Sequence, residues 1–172
     1  IPSDVAASQH QAPAIVADGA GGAIVVWQDD RRGNADIYAQ RISAAGVLLW
    51  SDSGAAVCSA TSNQYNPLIT NDGSGGAIIA WIDDRNGNSD VFAQRVNSSG
   101  VKQWSADGVP ICTYAGNQSF EYTKENIASD GGGGAIMVWN DARGSNPQVF
   151  AQRVNGSGNV QWNTNGISIT SL

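Results

Sequence analysis

The chain is 172 residues long, is 41% hydrophobic and has a net charge of −6 at pH 7, with 9 Lys and Arg in all. This length fits one domain, and the shortage of cations argues against nucleic-acid binding and against docking on an anionic membrane. Two cysteines and one histidine argue against a disulfide scaffold, a zinc site and a histidine-based triad, and no apolar run approaches the ~20 residues of a membrane helix.

A repeat organises the chain, because two sets of tryptophans recur with the same spacings of 54 and then 58 residues. The sets are Trp27, Trp81 and Trp139, and Trp50, Trp104 and Trp162. The Gln-Arg pairs, which end at Arg41, Arg95 and Arg153, follow the same two spacings. A fixed period indicates a repeat architecture. We predict one repeat domain over residues 1–172, with repeats at about 5–58, 59–112 and 113–170.

The elements follow one order in every repeat. A short apolar run at residues 13–16, 67–70 or 125–128 precedes an Asp-Gly turn, a glycine pair and a second run that ends at the first tryptophan. A polar loop, a third run ending in the Gln-Arg pair and a Ser/Asn/Gly turn lead to the second tryptophan. A Gly-headed apolar segment then closes the repeat. Short runs rich in Val, Ile and aromatics between turn residues indicate strands, so we predict an all-β fold with four antiparallel up-and-down strands per repeat.

The second spacing is longer than the first, and the additional residues fall between Cys112 and Asp130. They lie around residues 114–123, where the segment has no counterpart in the other repeats. We predict a longer loop at this place.

A Trp-x-Asp-x-Arg segment lies at the end of the second strand of every repeat. Residues two apart in an extended strand lie on the same face. The carboxylate can therefore accept backbone N–H groups at the hairpin while the guanidinium binds it through two nitrogens. The pattern predicts a structural clasp in each hairpin. The clasp residues are Trp27, Asp29 and Arg31, then Trp81, Asp83 and Arg85, then Trp139, Asp141 and Arg143.

A calcium loop is the alternative interpretation of this segment, because further carboxylates lie in the first two copies, at Asp30, Asp36, Asp84 and Asp90. Ca²⁺ prefers six to eight oxygen ligands. Arg85 would place a cation inside the loop, however, and the third copy has Ala142 and Gln148 in place of the additional acids. We expect no cofactor, with calcium as the alternative.

The Gln-Arg pairs and the tryptophans suggest packing roles. A half-buried arginine at the end of a strand normally needs a carboxylate partner, which the clasp or the Asp-Gly turn can supply. The first tryptophan of each repeat is expected to fill the core between neighbouring repeats. The second stands in a more polar context and is either a packing residue or a platform for a sugar ring. This candidate ligand platform comprises Trp50, Trp104 and Trp162.

Catalytic signatures are missing from the sequence. It contains no Gly-x-Ser-x-Gly elbow, no phosphate-binding loop and no His-Glu-x-x-His segment. Its paired acids repeat with the units, whereas a glycosidase site would more readily use acids outside the repeat. Cys58 and Cys112 occupy equivalent positions, which adjacent repeats usually hold too far apart for the ~6 Å Cα separation of a disulfide. We expect two unpaired thiols and a protein that is not an enzyme.

The second repeat carries a family resemblance. After the turn at Asp72 and an apolar strand, residues 82–92 read Ile-Asp-Asp-Arg-Asn-Gly-Asn-Ser-Asp-Val-Phe, and residues 29–38 match equally well. This pattern resembles TolB-type β-propeller repeats, in which Ser-Asp-Arg-x-Gly-x-x-Asp-Ile-Tyr follows the strand. The longer form, with a Gln-Arg pair and a trailing tryptophan, is similar to arrays in bacterial secreted and cell-surface proteins. The resemblance implies four-stranded propeller blades with a binding or scaffolding role.

Three blades do not close a propeller, which typically has four to eight. The chain pairs into a six-bladed ring, is a section of a longer array, or has instead a three-fold β-trefoil or β-prism fold. Residues 1–4 and 167–170 both align with residues 109–112, so the closing segment occurs once more often than the repeats. This surplus favours an open module or a section of a longer array.

The sequence therefore predicts a non-enzymatic extracellular or cell-surface β-propeller module with a structural or protein-interaction role. Its expected partner is a protein, either a second copy or flanking repeats, and we expect no nucleic acid and no membrane insertion. The alternative is a lectin with one carbohydrate site per repeat.

Overall fold

The computed structural model of the chain describes residues 10–120 and 126–170. These residues form thirteen strands in three separate sheets whose strand pairs are antiparallel, and they contain no helix. The predicted all-β, antiparallel organisation is confirmed. Nothing in the described ranges is a helix long and apolar enough to cross a membrane.

The first two sheets are identical meanders, which we call unit 1 and unit 2. Unit 1 consists of β1 His10–Ala17, β2 Ala23–Asp29, β3 Asp36–Ile42 and β4 Ala55–Cys58. Unit 2 consists of β5 Gln64–Asn71, β6 Ala77–Asp83, β7 Asp90–Val96 and β8 Val109–Cys112. The strands of each sheet pair in chain order, as the up-and-down prediction required.

Unit 3 has the same order but a divided first strand. It consists of β9 Gln118–Ser119, β10 Ile127–Ser129, β11 Ala135–Asp141, β12 Gln148–Val154 and β13 Ile167–Ser168. Both β9 and β10 pair with β11. Gln118 faces Asp141 as Gln64 faces Asp83 in unit 2, so β9 and β10 together replace β5.

The additional residues of the third repeat fall between Ser119 and Ile127, within the first strand. In unit 2 the same strand has a bulge between Tyr65 and Leu68, and unit 1 has one at the equivalent place. A bulge already leaves residues unpaired, so extra residues enter there without disturbing the rest of the ladder. The end of the loop predicted around residues 114–123 overlaps this place, and residues 121–125 lie outside the described ranges.

The three sheets stack face to face in chain order. We call the face of a sheet towards the preceding unit its leading face, and the face towards the following unit its trailing face. The central strand β6 is buried at every position because unit 2 is covered on both faces. The corresponding strand β11 is buried at alternate positions, and β2 is buried only at Ile24, Val26 and Asp29, as expected for sheets that are covered on one side.

Apolar side chains fill the two junctions between the sheets. At the first junction, the trailing face of unit 1 packs on the leading face of unit 2, with Trp81 fully buried between them. The second junction repeats this packing with Trp139. Each junction also contains one free, buried thiol, Cys58 or Cys112, and burial raises the pKa of both to about 12.

Candidate functional site

The clasp lies at the hairpin between the second and third strands of a unit. In unit 2, the Asp83 carboxylate accepts the indole N–H of Trp81 at 2.8 Å and the backbone N–H and Nε of Arg85 at 3.0 and 2.8 Å. Arg85 also donates to the carbonyl of Asp107 at 2.9 Å, and its guanidinium carbon lies 4.2 Å from the ring centre of Phe92. The clasp thus ties the hairpin to the loop before the closing strand.

The same contacts recur in units 1 and 3. Asp29 binds Trp27 and Arg31, and Asp141 binds Trp139 and Arg143. The carboxylates of all three clasps are fully buried. Burial raises the pKa of Asp29, but hydrogen bonds from Arg31 and Trp27 outweigh it and hold the pKa at about 2. The equivalent bonds lower the pKa of Asp141 against the same opposing effect of burial.

The additional acids of the second clasp loop bind separate neighbouring side chains, and their oxygens do not converge on one position that a metal ion could occupy. Asp84 accepts the hydroxyl of Tyr65 at 3.2 Å, while Asp90 accepts the amides of Asn86 and Asn88 at 2.7 Å each. Within the described residues, no group of three or more His, Cys, Asp or Glu is placed to hold a metal ion. Because these carboxylates already bind separate donors, the loop does not fit the Ca²⁺ site considered above.

A second ion pair lies at the Asp-Gly turn, where the aspartate of the turn binds the arginine of the Gln-Arg pair. Arg41 Nε donates to Asp18 at 2.9 Å, and the other oxygen of Asp18 accepts the backbone N–H groups of Ala20 and Gly22 at 2.8 Å. The backbone N–H of Ala20 and the side chain of Arg41 lower the pKa of Asp18. Units 2 and 3 contain the equivalent pairs, Asp72 with Arg95 and Asp130 with Arg153.

The glutamine of the Gln-Arg pair has a role that the sequence did not reveal. Gln40 Nε2 donates to the carbonyl of Ser51 at 2.6 Å, and its Oε1 accepts the backbone N–H groups of Arg41 and Trp50 at 2.9 and 3.0 Å. The equivalent glutamines are Gln94 and Gln152. This buried amide holds the second tryptophan beside the arginine. Only its recurrence in every repeat marks it in the sequence.

The arginine and the second tryptophan of one unit bind a single carbonyl group of the next. At the first junction, Arg41 Nη1 and Trp50 Nε1 both donate to the carbonyl of Ser98 at 3.0 Å. The second junction repeats this arrangement, with Arg95 and Trp104 donating to the carbonyl of Gly156 at 3.2 and 3.0 Å. Two donors on one acceptor fix the position of each unit against the following one.

The indole rings of Trp50 and Trp104 lie on a glycine of the following unit. A Cβ atom at Gly100 would lie 2.8 Å from the ring of Trp50, and one at Gly158 would lie 2.8 Å from that of Trp104. These tryptophans are therefore packing residues, and their covered rings do not favour one sugar site per repeat. Trp162 is the equivalent residue of unit 3, beyond which the described residues contain no further unit.

The chain shares a structural likeness with a known protein. The chain is similar to the structure of putative TolB from Agrobacterium tumefaciens, with 16% sequence identity and a TM-score of 0.33. The match covers 88% of this chain and 64% of that chain, so the chain spans less than two thirds of the other's length. No protein-family model matches the chain, and no curated protein matches it.

Proposed function

We propose that the chain is a section of a β-propeller and serves as a non-enzymatic structural or protein-interaction module outside the cell or at its surface. One observation carries this proposal: the same set of contacts joins unit 1 to unit 2 and unit 2 to unit 3. A unit of this kind adds to a neighbour on either side, as blades do in a propeller and as repeats do in an array.

The contacts between the sheets support an open section over a three-fold β-trefoil or β-prism. Either of those folds would return the third unit to the first. The first sheet packs on β5 and β7 of unit 2, and unit 3 packs on β5 and β7 through β10 and β9. Within the described ranges, no strand of the first sheet makes an extended contact with a strand of the third.

The bonding of the acids supports a structural role over a catalytic one. Hydrolysis of glycosides typically requires two carboxyl groups that reach the substrate. Each repeated aspartate at the clasp or at the Asp-Gly turn is instead buried or nearly buried and bonded to an arginine of its own unit. These groups stabilise the hairpins that carry the junction residues.

The location outside the cell rests on the acidic composition, rich in Gly, and on the resemblance to secreted repeats. Fractionation of the source cells tests it. Recovery from the medium or the cell surface is expected, whereas recovery from the cytoplasm alone would overturn this part of the proposal.

The module itself is tested by adding a unit. A copy of residues 59–112 is fused after Thr170, where it would continue the repeat in register. The appended unit is expected to cover Trp162, so the urea midpoint of unfolding should rise and quenching of tryptophan fluorescence by acrylamide should decrease.

The matched control is the same fusion with Gly100→Leu in the appended copy only. That leucine would meet the ring of Trp162, as a Cβ at Gly100 would meet Trp50. The control should therefore lose the gain in stability. An appended native unit that stays unfolded, or that leaves the urea midpoint unchanged, would contradict the proposal.

A further inference from the structure

The two junctions show which features a unit uses to receive the next one. On the trailing side, an arginine and a tryptophan converge on one carbonyl, beside an apolar sheet face. On the leading side, the next unit presents a turn with that carbonyl and, two residues later, a glycine beneath the indole ring. The turns read Ser98-Ser99-Gly100 and Gly156-Ser157-Gly158.

Unit 3 has the trailing half of this arrangement without a partner in the described residues. Arg153 and Trp162 occupy the positions of Arg95 and Trp104, but no described residue accepts a hydrogen bond from Trp162 Nε1. The side chain of Arg153 is 42% exposed, compared with 23% for Arg95. The donors that bind a carbonyl at both junctions thus have no such acceptor among the described residues at the end of unit 3.

The apolar part of the same face is open as well. Ile169 is 56% exposed, whereas Ile111 at the equivalent position of unit 2 is 2% exposed. Ile136 and Val138 are half-buried, although their counterparts in units 1 and 2 are fully buried. We call this surface, with Arg153, Trp162, Ile136, Val138 and Ile169, the open trailing face.

Unit 1 has the complementary half, also open. Ile15 is 66% exposed, whereas Ile69 and Ile127 at the equivalent positions are 7% and 9% exposed. The turn of unit 1 reads Ala44-Ala45-Gly46, and a Cβ at Gly46 would meet no atom within 4 Å. Within the described residues, no hydrogen bond reaches the carbonyl of Ala44. We call this surface the open leading face.

We propose that the open trailing face of one copy of this chain binds the open leading face of a second copy. Arg153 and Trp162 donate to the carbonyl of Ala44, and the indole ring of Trp162 lies on Gly46. The occupant is assigned by continuity with the two internal junctions, since both halves of that interface lie open on one chain. The inference rests on the proposed propeller module and names its partner.

A head-to-tail contact of this kind forms a ring if its rotation closes and a filament if it does not. Two copies contain six units, which lies within the range of four to eight blades that propellers use. The expected product is therefore a closed pair of chains held by two identical contacts.

Sedimentation velocity and native mass spectrometry of the 172-residue chain over about 1–200 μM test the inference. A reversible species of twice the chain mass is expected. Trp162→Ala and Ile15→Asp should each weaken association at least tenfold, because each variant alone breaks both contacts of the ring. Val101→Asp, at a residue of unit 2 that is 56% exposed, adds the same charge and should leave association unchanged.

Mixing the two variants distinguishes head-to-tail pairing from pairing of like faces. A pair formed by Trp162→Ala and Ile15→Asp chains has one intact contact, so the mixture should associate more tightly than either variant alone. Pairing of like faces would give no such rescue. A chain that is monomeric throughout, or association that neither variant weakens, would overturn the inference.

Failure of this inference is distinguishable from failure of the proposed function. If the appended unit stabilises the chain while two copies do not associate, the module stands and its partner is not a second copy. If neither experiment succeeds, the junction itself is not a docking element and both proposals fall.

Discussion

Units 2 and 3 place equivalent residues in different surroundings. Ile78 is fully buried on the trailing face of unit 2, while Ile136 in the same place on unit 3 is half-buried. Ile111 is 2% exposed and Ile169 is 56% exposed. The residue type and the position in the repeat are the same in both pairs. Burial in this molecule is therefore a property of the junction, and stability should follow the number of neighbours a unit has.

The largest expected effect compares the tryptophans of the clasps in units 2 and 1. Trp81 is fully buried in the first junction, whereas Trp27 lies half-buried on the open leading face. Trp81→Ala should lower the free energy of unfolding by about 3–5 kcal/mol, and Trp27→Ala by clearly less, as measured by urea denaturation. Both variants lose the indole bond to the clasp aspartate, so the difference reports the junction. Equal losses of unfolding free energy would show that the indole bond to the clasp, and not the junction, accounts for the effect of both substitutions.

A second comparison uses two glycines with the same backbone conformation. Gly46 and Gly100 have φ angles of 77° and 79°, so alanine should cost each about 1–2 kcal/mol in backbone strain. A Cβ at Gly100 would also lie 2.8 Å from the Trp50 ring, whereas one at Gly46 would meet nothing within 4 Å. Gly100→Ala should therefore cost about 1–3 kcal/mol more than Gly46→Ala. Urea denaturation at low protein concentration measures the difference between the two variants. A difference near zero would mean that the contact between the turn and Trp50 does not contribute to stability.

The sequence predicted the features that lie within one unit. Alternating apolar runs and Gly-rich turns gave the strands and their up-and-down order. The spacing of Asp83 and Arg85 indicated a contact that both residues make through their own hairpin. These features are local, since each depends on residues a few positions apart in a strand or turn whose conformation the residue types favour.

Features that depend on the neighbouring unit could not be predicted from the sequence. Ile15 and Ile69 are the same residue type, yet one is 66% exposed and the other 7%. The choice between packing and sugar binding at Trp50 depends on the turn at Ser98, which is far away in the chain. The insertion lies between Ser119 and Ile127, which only the end of the predicted segment reaches, because the pairing of residues 118 and 119 with the second strand was not visible in the sequence.

A smaller effect compares the second tryptophans of units 2 and 3. Trp104→Phe removes the indole N–H that binds the carbonyl of Gly156 at 3.0 Å, while the ring still packs on Gly158. A loss of about 0.5–1.5 kcal/mol is expected. Trp162→Phe should cost less, because no described residue accepts its N–H. Urea denaturation at concentrations below any self-association measures both, and equal costs would place the contribution of Trp104 in its own unit and not at the junction.

The smallest expected effect compares Asp36 and Asp90, which occupy the same position in units 1 and 2. Burial raises the pKa of both carboxyl groups. Asn86 and Asn88 donate to the two oxygens of Asp90, and Asn34 donates to Oδ1 of Asp36. The buried Oδ2 of Asp36 has no hydrogen-bond partner within the described residues. The charge of Arg32 lowers the pKa of Asp36 in part, but the missing hydrogen bond to Oδ2 should leave the ionised form of Asp36 the less well accommodated of the two.

A carboxyl group whose pKa is raised by folding stabilises the fold below its unfolded pKa, and this contribution is lost as the pH rises through the folded pKa. Asn cannot ionise, so the stability of Asp36→Asn relative to the native chain should increase between pH 3 and pH 7, and by more than that of Asp90→Asn. Asp29, whose pKa is held at about 2, contributes stability that is present above its unfolded pKa and is lost as the pH falls through the folded value, and this loss is common to the native chain and both variants. Urea midpoints at pH 3, 5 and 7 measure the trend. If the two variants show the same dependence on pH, the missing partner of Asp36 has no energetic consequence, and the two positions are equivalent despite the different neighbours of their units.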